Sequence, residues 1–136
     1  MKRFLLDTNA VSDLINDRRG VRDRAREARR AGFRIGTCFP VLAELYYGID
    51  FGASRDENMR LARAGLGQLT LWPFDLDAAR EYGRLFAELR RIGRPMQVVD
   101  VQLAAIALAL GNCTVVTTDS DLSAVPGLHV ENWATP

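Results

Sequence analysis

Five carboxylates in this chain sit where solubility alone is a poor reason for an acid. Asp7 follows the apolar triplet Phe4-Leu5-Leu6. Asp119 follows the β-branched run Thr114–Thr118, with Asp121 two residues on. Asp100 heads the most apolar stretch of the chain, and Glu44 stands among Val41, Leu42, Ala43, Leu45 and Tyr46. Carboxylates are almost never fully buried unless paired with a cation or bound to a metal. Four of these acids also have a purely structural reading: Asp7 and Asp100 as helix N-caps, Asp119 as a turn or cap residue, Glu44 on a solvated helix face. Gathered in one place, however, like charges repel unless a cation neutralises them. Mg²⁺ or Mn²⁺ prefers oxygen ligands of this kind. Such an ion opens a definite chemistry, making a nucleophile from water at neutral pH and screening the charge on a phosphate under attack.

Whether the acids meet depends on the elements that carry them. Phe4–Leu6 reads as a brief buried strand, and Val11, Leu14 and Ile15 give residues 8–16 a helical spacing. Residues 17–31 are arginine-rich with a thin stripe of Val21, Ala25 and Ala28, stopped by Gly32. A second strand is predicted over 34–38, and a helix from Pro40 through Ile49. Further helices are expected over 56–66, 75–92 and 100–110, with a strand over 69–74 between the first two. Residues 114–118 read as a fully buried strand and 128–130 as a short last one. Strands alternating with helices predict an α/β fold, a parallel sheet covered on both faces, with residues 1–136 forming one α/β/α domain. In open sheets of this kind the reactive crevice lies beyond the carboxyl ends of the strands, which is where Asp7 and Asp119 fall.

Composition narrows the classes. With 48% apolar residues and mixed charge, the 136-residue chain is not a disordered one. Its longest apolar run, Leu103–Leu110, is far short of the roughly 20 residues that cross a bilayer. An acid at position 7 comes too early for a signal-peptide core, so a cytoplasmic protein is expected. Cys38 and Cys113 lack metal-site spacing and read as buried free thiols. A single histidine, His129, excludes a multi-histidine zinc site. The net charge of +1 carries no signature of a nucleic-acid binder, yet Lys2 is the only lysine among 18 basic residues. Arginine's planar fork suits phosphate, although a GC-rich genome would produce the same bias.

Four segments, in order, resemble the motifs of PIN-domain ribonucleases. Asp7-Thr8-Asn9 after a first strand looks like the N-terminal motif, and Pro40-Val41-Leu42-Ala43-Glu44-Leu45 like the helix bearing a single glutamate. Gly93-Arg94-Pro95 followed by Asp100 and Ala104-Ala105 is similar to the third motif. Val116–Leu122 with Val125-Pro126-Gly127-Leu128 resembles the fourth. The match spans essentially the whole chain, and its size points to the VapC-type toxins of toxin–antitoxin pairs. Leu122 replaces a commoner Phe and Val98-Val99 a more polar pair, and neither change touches the acids.

The resemblance implies an endoribonuclease dependent on Mg²⁺, with Mn²⁺ as a substitute. Asp7, Asp100 and Asp119 would be metal ligands, and Glu44 would orient or deprotonate water or bind a second metal. Thr8, Asn9, Thr118 and Asp121 would support them. It also implies products with a 5′-phosphate and a 3′-hydroxyl, a homodimer, and a VapB-type antitoxin whose segment fills the cleft. Tyr46, Tyr47 and Phe51 offer an apolar groove for that segment, with core packing the preferred reading of Tyr46. An acidic site repels RNA, so phosphate must be held from outside it. Arg18, Arg19, Arg22 and Arg26 are the first candidates, joined by Arg24, Arg29 and Arg30. Their interleaving with Asp17, Asp23 and Glu27 equally suggests salt bridges on a solvated helix.

Rival readings fit less well. A receiver-type phospho-acceptor domain needs a lysine after its last core strand, and Lys2 is at the wrong end. A dehalogenase-like phosphatase needs a second aspartate where Asn9 stands. A catalytically silent module that only binds a partner remains, and the intact acid set argues against it.

Overall fold

The computed structural model describes residues 2–136. Five strands, β1 (Arg3–Leu6), β2 (Arg34–Cys38), β3 (Thr70–Trp72), β4 (Cys113–Val116) and β5 (His129–Glu131), form one sheet in the order β3-β2-β1-β4-β5, every pair parallel. Six helices connect them: α1 (Thr8–Ile15), α2 (Val21–Arg30), α3 (Phe39–Phe51), α4 (Arg55–Leu66), α5 (Leu76–Arg91) and α6 (Val98–Leu110). From β1 the chain moves outward to β2 and β3, then returns past β1 to β4 and β5. Right-handed crossovers therefore place α1–α4 on one face and α5–α6 on the other. The reversal lies between β1 and β4, and at such a switch point the helices diverge and open a crevice at the carboxyl ends of the strands.

The centre of the sheet is apolar on both faces, as a doubly covered parallel sheet must be: Leu5, Leu6, Val115 and Val116 are fully buried. The α6 helix is apolar almost all round because it is packed between α5, α3 and β4. Cys38 and Cys113 are free and buried, and burial pushes their thiols up to about 12 and about 11. Gly36 sets the seat of the edge strand. A Cβ there would lie 2.3 Å from the Thr70 carbonyl oxygen and 2.7 Å from the Trp72 ring, so only glycine lets β3 approach β2.

Several boundaries differ from those predicted, each for a physical reason. The second helix begins at Val21 rather than residue 17, because Asp17, Arg19 and Gly20 adopt left-handed backbone (φ 52°, 56° and 74°) and make a turn. The sixth helix begins at Val98, so Asp100 is its third residue and not its cap; Gln97 takes that position. The fourth strand ends at Val116: the Thr117 amide makes one last bond, to the Glu131 carbonyl (3.0 Å), and Thr118 turns out to the surface. The last strand is shifted by one residue, to His129–Glu131. The β3 strand keeps only Thr70–Trp72, stopped by Pro73. Trp133 is a core residue the sequence did not announce; only 3% exposed, it packs on Phe4 with ring centroids 5.0 Å apart.

Candidate active site

Asp7 is the first residue beyond β1, and its position serves two purposes. Its carboxylate accepts a hydrogen bond from the Ala10 amide (2.9 Å) and so N-caps α1. It also faces the crevice, 7% exposed. Burial pushes this carboxyl up from its ordinary range, and the charges of Asp119 and Asp13 add to the shift. Hydrogen bonds from Thr117 and the Ala10 amide oppose it. Asp119, one strand away beyond β4, repeats the design. Its carboxylate accepts from the Asp121 amide (2.9 Å) and caps a single 3-10 turn, Ser120–Ala124. Both aspartates cap a helical turn and at the same time line the crevice.

Thr117 joins them. Buried at 5% exposure, it accepts from the Asp119 amide at its hydroxyl (2.9 Å), and that hydroxyl also favours the ionised form of Asp7. The sequence reading placed this supporting role on Thr118. The structure corrects it by one residue: Thr118 is exposed, and leaving the strand turns the Thr117 side chain inward. The β-branched run concealed the switch, although a threonine two residues before an Asp-x-Asp pair is itself a turn signal.

Asp100 enters from the opposite face on the first turn of α6. Half-buried, it is pushed up to about 6, first by burial and then by the charges of Asp119, Glu44, Asp7 and Asp121. Glu44 comes from the middle of α3, exposed as a solvated-face residue would be, yet aimed at the crevice, where Thr8 donates its hydroxyl to Glu44 Oε1. Asp7, Glu44, Asp100 and Asp119 together line a cavity of about 150 Å³, along with Thr8 and Asn9. Asp121 stands outside it, on an adjoining recess shared with Asp100 and Asp119. Among the described residues none of these five acids is in an ion pair. Nor do any three His, Cys, Asp or Glu side chains form a ready-made metal cage; uncompensated like charges stand apart.

The arginines are not equivalent. Arg22 donates to the Leu14 and Ile15 carbonyls (3.1 and 2.9 Å), closing the C-terminus of α1, and pairs with Asp17. Arg26 pairs with Asp23 (3.7 Å), and Arg24 with Glu131 (3.0 Å). Arg19 offers its carbonyl to the Thr135 amide and hydroxyl, and Arg29 donates to the Gln68 carbonyl. Arg18 alone of these borders a cavity next to the acids. Tyr46 is exposed rather than in the core, and beside it Tyr47 stacks on Phe51 with centroids 5.9 Å apart on the outer face of α3.

Comparison with known proteins bears on the family and the fold. Residues 4–128 match the PIN domain family model. Ribonuclease VapC2 of Haemophilus influenzae is 30% identical over 98% of this chain and 99% of its own length. The tRNA(fMet)-specific endonuclease VapC of Salmonella typhimurium is 27% identical over 98% and 99%. Among solved structures, VapBC2 from Rickettsia felis bound to a promoter DNA fragment superposes with a TM-score of 0.90 at 27% identity, covering 96% of this chain and 98% of that one. DNA-bound VapBC from Salmonella typhimurium gives 0.89 at 29% identity, covering 98% and 100%. The chain belongs to the PIN-domain family, among its VapC-type members.

Proposed function

We propose that this chain is a Mg²⁺-dependent endoribonuclease and the toxin half of a toxin–antitoxin pair, held in check by a VapB-type antitoxin. The observation that carries the reading is the convergence of Asp7, Glu44, Asp100 and Asp119 on one small cavity with no basic side chain among the described residues that line it. An all-oxygen donor set without a protein counter-ion suits Mg²⁺ or Mn²⁺. Asp7, Asp100 and Asp119 would hold the ion. When bound it supplies a Lewis acid to the phosphate and lowers the pKa of water.

The chain's own residues do the rest. Glu44 has one oxygen tied by Thr8, which leaves the other to accept a proton from the attacking water. The water oxygen bonds to phosphorus, the bond from phosphorus to the 3′ oxygen breaks, and that oxygen takes a proton from solvent. The products are a 5′-phosphate and a 3′-hydroxyl. The Ala10 and Asp121 amides hold the Asp7 and Asp119 carboxylates, and Thr117 holds the Asp119 backbone, so neither acid has to reorganise far as charge develops.

Two of the curated relatives carry tRNA(fMet) in their names, so total tRNA is the first substrate to try. Purified protein incubated with it is expected to release discrete fragments bearing 5′-phosphates in Mg²⁺ or Mn²⁺ and none in EDTA. An Asp7→Asn protein that folds and cleaves at the full rate would overturn the assignment. Growth arrest on expression that survives Asp100→Ala would indicate a toxic binding role instead.

A further inference from the structure

We infer that the cavity beside the acidic site, with Arg18 at its rim, seats the RNA strand next to the scissile bond, and that Arg18 holds a flanking phosphate there. The inference rests on the ribonuclease reading above. This cavity, about 350 Å³ and within the range of small-ligand sites, is the larger neighbour of the acidic one. The two share Thr8, Asn9 and Glu44 as a common wall, so they lie side by side along one trough, with the Thr8–Glu44 hydrogen bond between them. Its walls match a nucleotide: Asn9, Ser12, Asn16 and Asn58 offer hydrogen bonds to base or ribose, and Ile15 and Ile49 give an apolar floor.

Charge decides the direction. The trough's other end, beyond Asp100 and Asp119, carries Asp121 and no cation, and it repels phosphate. Arg18 lines the favourable end, and among the described residues it has no ion-pair partner, unlike Arg22, Arg24 and Arg26. The backbone around it is held. Asp17 and Arg19 both adopt left-handed φ, uncommon for residues other than glycine. The turn is fixed by the Arg18 amide on the Asp13 carbonyl (2.8 Å), and by the Thr135 amide and hydroxyl on the Arg19 carbonyl (2.8 and 2.9 Å). The clamped backbone fixes where the Arg18 side chain starts, so binding an anion there orders the side chain alone and not the turn.

The test compares wild type with Arg18→Gln and Arg18→Lys. Arg80→Gln, at an exposed helical position near the start of α5 and in the lining of neither cavity, is the control. Kinetics use total tRNA in Mg²⁺, and affinity is measured in a non-cleaving Asp100→Asn background across a salt series. Arg18→Gln should raise KM about five- to tenfold with kcat within about twofold. It should also flatten the slope of log K against log salt by about 0.7 to 0.9, one phosphate contact. Arg18→Lys should restore the slope, and Arg80→Gln should change neither. If wild type cleaves but Arg18→Gln leaves KM and the salt slope unchanged, the inference falls while the ribonuclease reading stands. If Arg18→Gln alters only inhibition by the cognate antitoxin, the cavity is the partner's seat and the inference also falls. If wild type does not cleave RNA at all, the underlying reading has failed.

Discussion

At the scale of single residues, the site is built from side chains that hold one another rather than from acids alone. Thr8 is the clearest case, because its hydroxyl fixes the Glu44 carboxylate, which caps no helix. Thr8→Val should lower kcat about ten- to a hundredfold, the usual cost of losing a support to a catalytic group, while KM stays within about twofold. Thr8→Ser should restore most of the rate, and steady-state kinetics on RNA separates the two. Asp100 carries a different cost. Its carboxyl is pushed up to about 6 by burial and by four neighbouring acids, so the metal-free fold is less stable for having it ionised. Asp100→Asn should abolish cleavage and yet stabilise the metal-free protein at pH 7.5. With solvent screening around a half-buried group, the gain is about 1–2 kcal/mol, or about 4 °C in Tm by calorimetry in EDTA.

Among the elements, the sheet decides where those side chains point, and Gly36 decides how the sheet closes on its outer side. Gly36→Ala should cost about 2–3 kcal/mol in urea unfolding, because the added methyl meets the Thr70 carbonyl, which cannot rotate away. The carboxyl-edge positions of Asp7 and Asp119 were legible from the sequence, since an acid directly after an apolar or β-branched run marks a strand end. Glu44 was legible for the opposite reason, as an acid within an apolar helix. What could not be read was the geometry of the joints. The Thr114–Thr118 run carries no mark of where pairing stops, so the work of Thr117 was assigned to Thr118. Val98-Val99 are weak helix formers and Val98 is half exposed, so nothing in their types or burial announces that α6 begins there, ahead of Asp100. Nor does composition distinguish an arginine that closes a helix, Arg22, from one left facing a cavity, Arg18.

For the molecule as a whole, a nearly balanced count of 18 basic and 17 acidic residues conceals their separation. Many of the acids pair with arginine on helix surfaces, while the acids at the switch point have no basic partner among the described residues. The separation predicts a pH dependence. Asp100 has an ordinary value of 3.8 when unfolded and about 6 when folded, so between the two the folded chain binds more protons. Its contribution is therefore fully favourable below about pH 4 and is lost as pH rises through about 6. In EDTA, the Tm difference between wild type and Asp100→Asn should widen over that window. Mg²⁺ should narrow it at pH 7.5 by stabilising only the ionised wild type. A difference flat with pH and indifferent to Mg²⁺ would refute the electrostatic account of the site.

The most direct measurement is cleavage of RNA by wild type and by Asp7→Asn, Glu44→Gln, Asp100→Asn and Asp119→Asn, each shown to fold, in Mg²⁺ and in EDTA, with the new 5′ ends mapped. The account predicts 5′-phosphate fragments from wild type in Mg²⁺ alone, with each substitution reducing the rate at least about a hundredfold. Cleavage that persists in EDTA, or in the folded aspartate variants, would contradict it.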